Sequence, residues 1–268
     1  MFFNRLKKMK KLILKRLFCA TITALLLGGC HKKDDPKAIT CLLTSQVTAG
    51  SGNTYTYTFT YDGQRATTTS TTTAFAAGGG GSITGTFKYD GSGNISEIDY
   101  SGGARDVFTY SNGVITKKEK YSNTNALEDQ TDYDYVNGQL VKIQEYYKNG
   151  LTLAKEAYQV LEYATPSSKD PIRIKHFDTA TSTTPSSTSE FSYGDQKCAF
   201  SAAPPALVKY LRLGGQPVEN NVTKIVFSGG EVITYTYEFN ANGYPSTRIE
   251  TYTVSSQVNT NTYSYACS

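Results

Sequence analysis

The sequence predicts an all-β protein: an antiparallel up-and-down meander of about 14–16 strands, curled or barrel-like so that one face is shielded from water. Three observations point there. In Tyr55-Thr56-Tyr57-Thr58-Phe59-Thr60-Tyr61 every second residue is aromatic and the others are Thr, and Ile233, Tyr235, Tyr237 and Phe239 repeat the pattern. Period two places the aromatics on one face and the polar residues on the other, which describes a half-buried strand. The runs end in turn pairs, Asn-Gly at 112–113, 137–138, 149–150 and 242–243, with Gly93-Asn94 and Gly229-Gly230 in the same role. Such pairs accept positive φ cheaply, as tight hairpins require. Helical periodicity is confined to Pro204 to Leu213, where Pro204-Pro205 can start a short helix and Gly214-Gly215 can stop it.

Taken from the N-terminus, residues 1–29 hold seven Lys and Arg and no acid. The remaining chain has 20 basic against 23 acidic residues, so the overall charge of +4 belongs to the leader and gives no case for a nucleic-acid partner. After Lys15-Arg16 an apolar run extends from Leu17 to Leu27, followed by Gly28-Gly29-Cys30. That run suits a signal-peptide core and falls short of the roughly 20 residues a spanning helix needs. Leu27-Gly28-Gly29-Cys30 resembles the lipobox of bacterial lipoproteins. The resemblance implies a signal peptide over 1–29, lipidation of Cys30, and a membrane partner reached through that anchor. Cys19 does not compete, because Phe18 before it is large. Residues 30–38 then read as the lipidated cysteine and a flexible tether. Lys32-Lys33-Asp34-Asp35 is similar to the surface-export signal of Bacteroidota lipoproteins, which implies the outer membrane and display at the cell surface.

A single β-meander domain is expected over 39–268. Shorter alternating runs, Phe87/Tyr89, Phe108/Tyr110 and Tyr133/Tyr135, mark further strands. Lys88, Glu119, Asp132, Asp134 and Glu238 fall on the face opposite the aromatics, so the domain is expected to be soluble beyond its anchor. Ala76 to Ser82 and Thr179 to Ser189 break the alternation and read as loops.

Tyr89-Asp90-x-x-Gly93-Asn94-Ile95 resembles the YD repeat of Rhs-type toxin shells. The tether, Asn220-Asn221-Val222-Thr223-Lys224-Ile225, and Tyr235 to Pro245 are similar to a Bacteroidota lipoprotein family described as a domain of unknown function with a porin-like fold (DUF4595). This resemblance covers roughly 38–266 and implies a porin-like architecture with no catalytic residues to carry over. Only Tyr89-Asp90 keeps the full repeat; Tyr61-Asp62-Gly63 keeps part of it.

Chemistry-bearing residues are sparse. With Cys30 lipidated and Cys19 in the leader, Cys41, Cys198 and Cys267 remain, enough for one disulfide and one spare thiol, or for three buried thiols. Cys41 in the first strand and Cys267 in the last could pair if the sheet closes on itself. The absence of Cys-x-x-Cys and the two histidines leave no support for a metal site, and no cofactor motif is present. Asp132 and Asp134 point the same way along one strand, and His176 lies in an alternating strand; none forms a nucleophile–base pair. Asp178-Thr179-Ala180 is similar to the Bacteroidota O-glycosylation motif, which makes Thr179 a candidate modification site. The expected function is therefore a non-catalytic cell-surface β-module with a binding or structural role, its partner a glycan or an envelope protein. A glycan-binding accessory lipoprotein and an unrecognised envelope enzyme are the alternatives. The sequence sets neither its ligand nor its oligomeric state.

Overall fold

The computed structural model describes residues 41–150, 152–214 and 219–268. The leader, Cys30 and the tether lie outside these residues. The described strands are β1 (Cys41–Gly50), β2 (Asn53–Asp62), β3 (Arg65–Ala74), β4 (Gly80–Tyr89), β5 (Ile95–Tyr100) and β6 (Arg105–Ser111). They continue as β7 (Val114–Tyr121), β8 (Leu127–Val136), β9 (Gln139–Asn149), β10 (Thr152–Glu162) and β11 (Arg173–Phe177). The last five are β12 (Ser187–Lys197), β13 (Asn220–Phe227), β14 (Val232–Phe239), β15 (Pro245–Tyr252) and β16 (Val258–Cys267). Each pairs antiparallel with its sequence neighbours, and β16 pairs with β1, so the sheet closes into a sixteen-stranded barrel.

The expected helix is α1 (Pro205–Leu211), with Pro205 at its first position and 3-10 turns at Ala199–Ala202 and Arg212–Gly214 on either side. Both expected loops are shorter than the composition indicated. Gly80 to Ser82 begin β4, and Ser187 to Ser189 begin β12, because cross-strand pairing takes up their backbone groups. Asn112-Gly113 and Asn137-Gly138 have φ of 50° and 78°, and 51° and 80°, the left-handed pairs a two-residue hairpin requires.

The 198–214 segment plugs one end of the barrel. Phe200, Leu207, Leu211 and Leu213 are buried in the same core as Leu43, Phe59, Phe87, Ile98 and Phe108. Tyr210 stands edge-on to Phe87 and Phe108, with ring centroids 6.2 and 5.7 Å apart. Lys209 donates to Asn94 Oδ1 at 2.9 Å, fastening α1 to the β4–β5 turn. Cys41, Cys267 and that turn all belong to this plug end. The hairpins near residues 51, 77, 102, 124, 150, 182, 229 and 255 form the other end, called distal below.

A recurring pattern explains the tyrosines. Toward the plug end, the two strands of each distal hairpin part: the β3–β4 ladder ends at Thr68↔Thr86, and β13–β14 at Lys224↔Thr234. Into seven of the eight gaps reaches a tyrosine whose hydroxyl donates to a backbone carbonyl across the gap. Tyr89 bonds Ala66 O at 2.6 Å, Tyr237 bonds Val222 O at 2.7 Å, and Tyr265 bonds Pro245 O at 2.8 Å. Tyr61 to Leu43, Tyr110 to Ile95, Tyr163 to Leu140 and Tyr193 to Pro171 repeat the bond. Carbonyls released by the splayed ladder thus keep a donor, as buried backbone groups must. The partner two residues earlier (Phe59, Phe87, Phe108) packs deeper and needs no hydroxyl. Register shifts fall at Thr60/Tyr61, Lys88/Tyr89 and Thr109/Tyr110, so a bulge aims each wedge.

The Asp of the repeat has a separate task. Asp90 Oδ1 accepts from the backbone N–H of Ser92 and Asn94 at 2.8 and 2.9 Å, closing the turn, and these bonds hold its carboxyl below the usual range. Asn240 Oδ1 makes the same pair of bonds to Asn242 and Tyr244, so an amide can replace the carboxylate. Tyr237→Phe is accordingly expected to destabilise by about 1–3 kcal/mol, because it orphans a buried carbonyl. Thr236→Ala on the outer wall should stay within about 0.5 kcal/mol. Urea titration of both variants checks this, and equal losses would remove the wedge from the account.

Candidate functional site: the barrel lumen

The lumen has two layers. The layer against the plug is apolar, as expected. Toward the distal end the inner face becomes polar, which period-two reading with aromatics inside did not foresee. On β15 and β16, Arg248, Glu250 and Asn261 are at most 1 % exposed, whereas Ile249 between them faces outward at 38 %. The registers Tyr235↔Glu250, Tyr237↔Arg248, Glu250↔Asn259 and Arg248↔Asn261 put all these side chains inside.

Glu250 anchors the cluster. Its Oε1 accepts from the Arg248 guanidinium and from Asn261 Nδ2 at 2.9 Å. Its Oε2 accepts from Tyr252 OH and Asn259 Nδ2, both at 3.2 Å. Asn261 Oδ1 in turn accepts from Gln46 Nε2 at 3.1 Å and Thr48 Oγ1 at 2.6 Å, crossing from β16 to β1. The Arg248 guanidinium lies 5.3 Å from the centroid of the Tyr235 ring. The network therefore stitches the seam where the first and last strands meet. At the plug end of the same seam Cys41 and Cys267 form a disulfide, with Cα atoms 4.0 Å apart. Cys198 is fully buried at the start of the first 3-10 turn, where its Sγ accepts from the Ser201 N–H at 3.2 Å.

A second polar group lies across the lumen. Tyr100 donates to Asp106 Oδ2 at 2.9 Å beside Tyr210 of the plug, whose hydroxyl is pushed up to about 12, chiefly by burial. Lys118, Thr131 and Glu145 share the inner face through the registers Lys118↔Thr131 and Thr131↔Glu145. Burial raises the Glu145 carboxyl above its ordinary value, although Tyr147 donates to it at 3.3 Å. The folded chain then binds that proton more tightly than the unfolded one, so stability falls as pH rises from the ordinary carboxylate range through the raised value. Glu145→Gln is expected to melt higher than the parent at neutral pH and to match it in acid. Thermal melts across pH check this, and a lower melting temperature at neutral pH would contradict it. The Tyr235 hydroxyl and both amide atoms of Asn221 are buried without a protein partner, which leaves hydrogen-bonding capacity for water.

Of the residues singled out in the sequence, Cys41 and Cys267 meet, while Asp132, Asp134, His176 and Thr179 are not brought together. Asp132 and Asp134 stand on the outer wall opposite Lys117 and Lys142. His176 faces inward on β11, opposite Gln159, and so lies on the other side of the wall from both acids. Thr179 is exposed in the β11–β12 connection, with its Oγ1 2.7 Å from Ser182 Oγ. No group of three His, Cys, Asp or Glu that could hold a metal occurs among the described residues. A groove of about 600 Å³ on the outer wall is lined by Lys88, Glu97, Asp99, Tyr100, Arg105 and Tyr121. Its charges satisfy one another: Lys88 lies 2.7 Å from Glu97 and 2.6 Å from Asp99, whose carboxyl that lysine holds low. The arrangement fixes strands and offers hydrogen bonds.

Lumen and wall together define a plugged, all-antiparallel sixteen-stranded barrel. No family model matches the chain, and no curated protein matches it. Its fold is similar to that of a porin-like protein from Bacteroides uniformis, with a TM-score of 0.59 and 15 % identity, covering 87 % of this chain and all of that one. A porin-like protein from Bacteroides vulgatus (TM-score 0.21, 11 % identity, 82 % of each chain) aligns only loosely. So does the TcdB2-TccC3-TEV chain (TM-score 0.27, 10 % identity, 74 % of this chain and 13 % of that).

Proposed function

We propose that the chain is a lipid-anchored protein of the outer membrane, displayed at the cell surface, whose barrel stands in water as a non-catalytic binding or structural module. The observation that carries this reading is the outer wall. Where a membrane barrel presents an apolar band, β5 to β12 present Glu97, Lys117, Glu119, Asp132, Arg173 and Glu190, several in ion pairs such as Arg173–Glu162 at 2.8 Å. A basic side chain facing lipid at mid-depth costs about 2–4 kcal/mol, so such rows belong in water. The Cys41–Cys267 disulfide supports a compartment outside the cytoplasm.

Lipidation at Cys30 also orients the barrel. Ten residues lie between Cys30 and Cys41, a reach of at most about 40 Å. The plug end then faces the membrane, while the distal hairpins, Thr179 among them, face away. Cys30→Ala is expected to move the protein from the membrane fraction to the soluble fraction after a salt wash. Retention of the variant in the membrane would refute the anchor. External protease on intact cells should degrade the unmodified protein; protection would refute surface display.

A further inference from the structure

The outer wall is divided by charge. From β14 through β15, β16, β1, β2 and β3 to β4, its acids and bases (Glu238, Asp62, Arg65 and Lys88) keep to the plug-end margin. Above that margin the outward positions are Thr, Ser, Val, Ile and Ala. Cross-strand registers align them in rows around the barrel. One runs from Glu238, its single charge, through Thr247, Thr262, Val47, Thr56 and Thr72 to Ser82, and the next toward the distal end runs Thr236, Ile249, Thr260, Ala49, Thr54. Outward neighbours sit roughly 6.8 Å apart along a strand and about 4.8 Å apart across strands. Neighbouring hydroxyls meet, Thr60 with Thr68 at 2.6 Å and Thr72 with Ser82 at 3.1 Å, and each keeps further lone pairs for an incoming donor.

We infer that this seven-strand sector is a binding surface for an uncharged polysaccharide. Each threonine offers a methyl beside a hydroxyl, matching the C–H faces and hydroxyls that alternate along a neutral sugar chain. An ionic polymer finds countercharge only along the sector's margin, whereas the opposite half of the wall carries both signs throughout. A second copy of the chain fits less well. Two convex barrels touch along a narrow strip, short of the roughly 1,200 Å² of a stable protein interface, while a flexible polymer can follow the curve. The sector is exposed, with Thr236, Thr251, Thr260, Thr262 and Thr84 all open to solvent. Barrel closure leaves no free strand edge on which such a surface could aggregate.

This inference deepens the proposed surface role and rests on it only for access to polymer in the cell. The test uses the purified full-length lipoprotein, in native gels cast with a soluble α-glucan, β-glucan, mannan or xylan. At least one of the four should retard it, equally at low and high salt. The double variant Thr56→Lys/Thr262→Lys, with an unchanged melting temperature, should weaken retardation by roughly tenfold or more, since two charges would be covered without partners. Lys224→Thr, in the charged half, should leave it unchanged. Retardation by none of the four, or retardation indifferent to the two lysines, overturns the inference. So does a dimer that the same lysines dissociate, which would make the sector a self-contact. Retardation by a protein that fractionation places inside the cell would instead overturn surface display and leave this inference standing.

Discussion

Replacing both Cys41 and Cys267 by serine is expected to lower stability by about 3–5 kcal/mol, among the largest effects of any change in the molecule. The bond links residues 226 apart, and chain-entropy estimates rise with the length of the loop closed, reaching about 4.7 kcal/mol for 100 residues. The location adds to this. β1 and β16 are the only two neighbouring strands in the barrel with no local connection, and every other adjacent pair follows in sequence. Without the disulfide, the plug end of the seam rests on backbone pairing at Leu42↔Ala266 and Leu43↔Tyr265. For a chain of this size each kcal/mol moves the melting temperature by about 2–4 °C. Reductant should lower the melting temperature of the parent to that of the double variant and leave the variant itself unmoved. An unchanged melting temperature would mean that strand pairing alone closes the seam.

Arg248→Met is expected to cost about 3–5 kcal/mol, because it leaves the Glu250 carboxylate buried without its cation. Glu250→Leu should cost a similar amount by stranding the guanidinium. Their combination should be much less harmful than the sum of the two, since well-packed apolar pairs often replace buried ion pairs without loss. Glu250 also accepts from Asn259, Asn261 and Tyr252, so the double variant still forfeits three hydrogen bonds and should not reach the parent. Denaturant melts of the three variants measure the coupling directly. Additive losses would show that Arg248 and Glu250 act independently.

The alternation of Tyr55 to Tyr61, the Asn-Gly hairpins and the helix after Pro204 were legible because each is a local pattern with a local cause. Closure was not, since Cys41 and Cys267 are neighbours only after fourteen intervening strands have set the circumference. The polar lumen was hidden for a different reason. In Thr247-Arg248-Ile249-Glu250-Thr251 hydropathy alone points Ile249 inward, yet the structure reverses it. The correct parity was available nearby: stepping back by twos from Tyr265 and Tyr263 arrives at Asn261 and Asn259, and from Tyr252 at Glu250 and Arg248. Aromatic parity, and not hydrophobicity, marked the inner face. The role of the tyrosine hydroxyls was hidden as well. Their purpose depends on carbonyls that become free only where the ladders part.

The most direct test of a closed, plugged barrel facing water is the behaviour of residues 31–268, without the anchor, in detergent-free buffer. The account predicts a monodisperse, β-rich species that melts cooperatively, keeps its hydrodynamic size when detergent is added, and opens no conductance steps in a planar bilayer. A protein recoverable only in micelles, or one that forms ion channels in that bilayer, would contradict it.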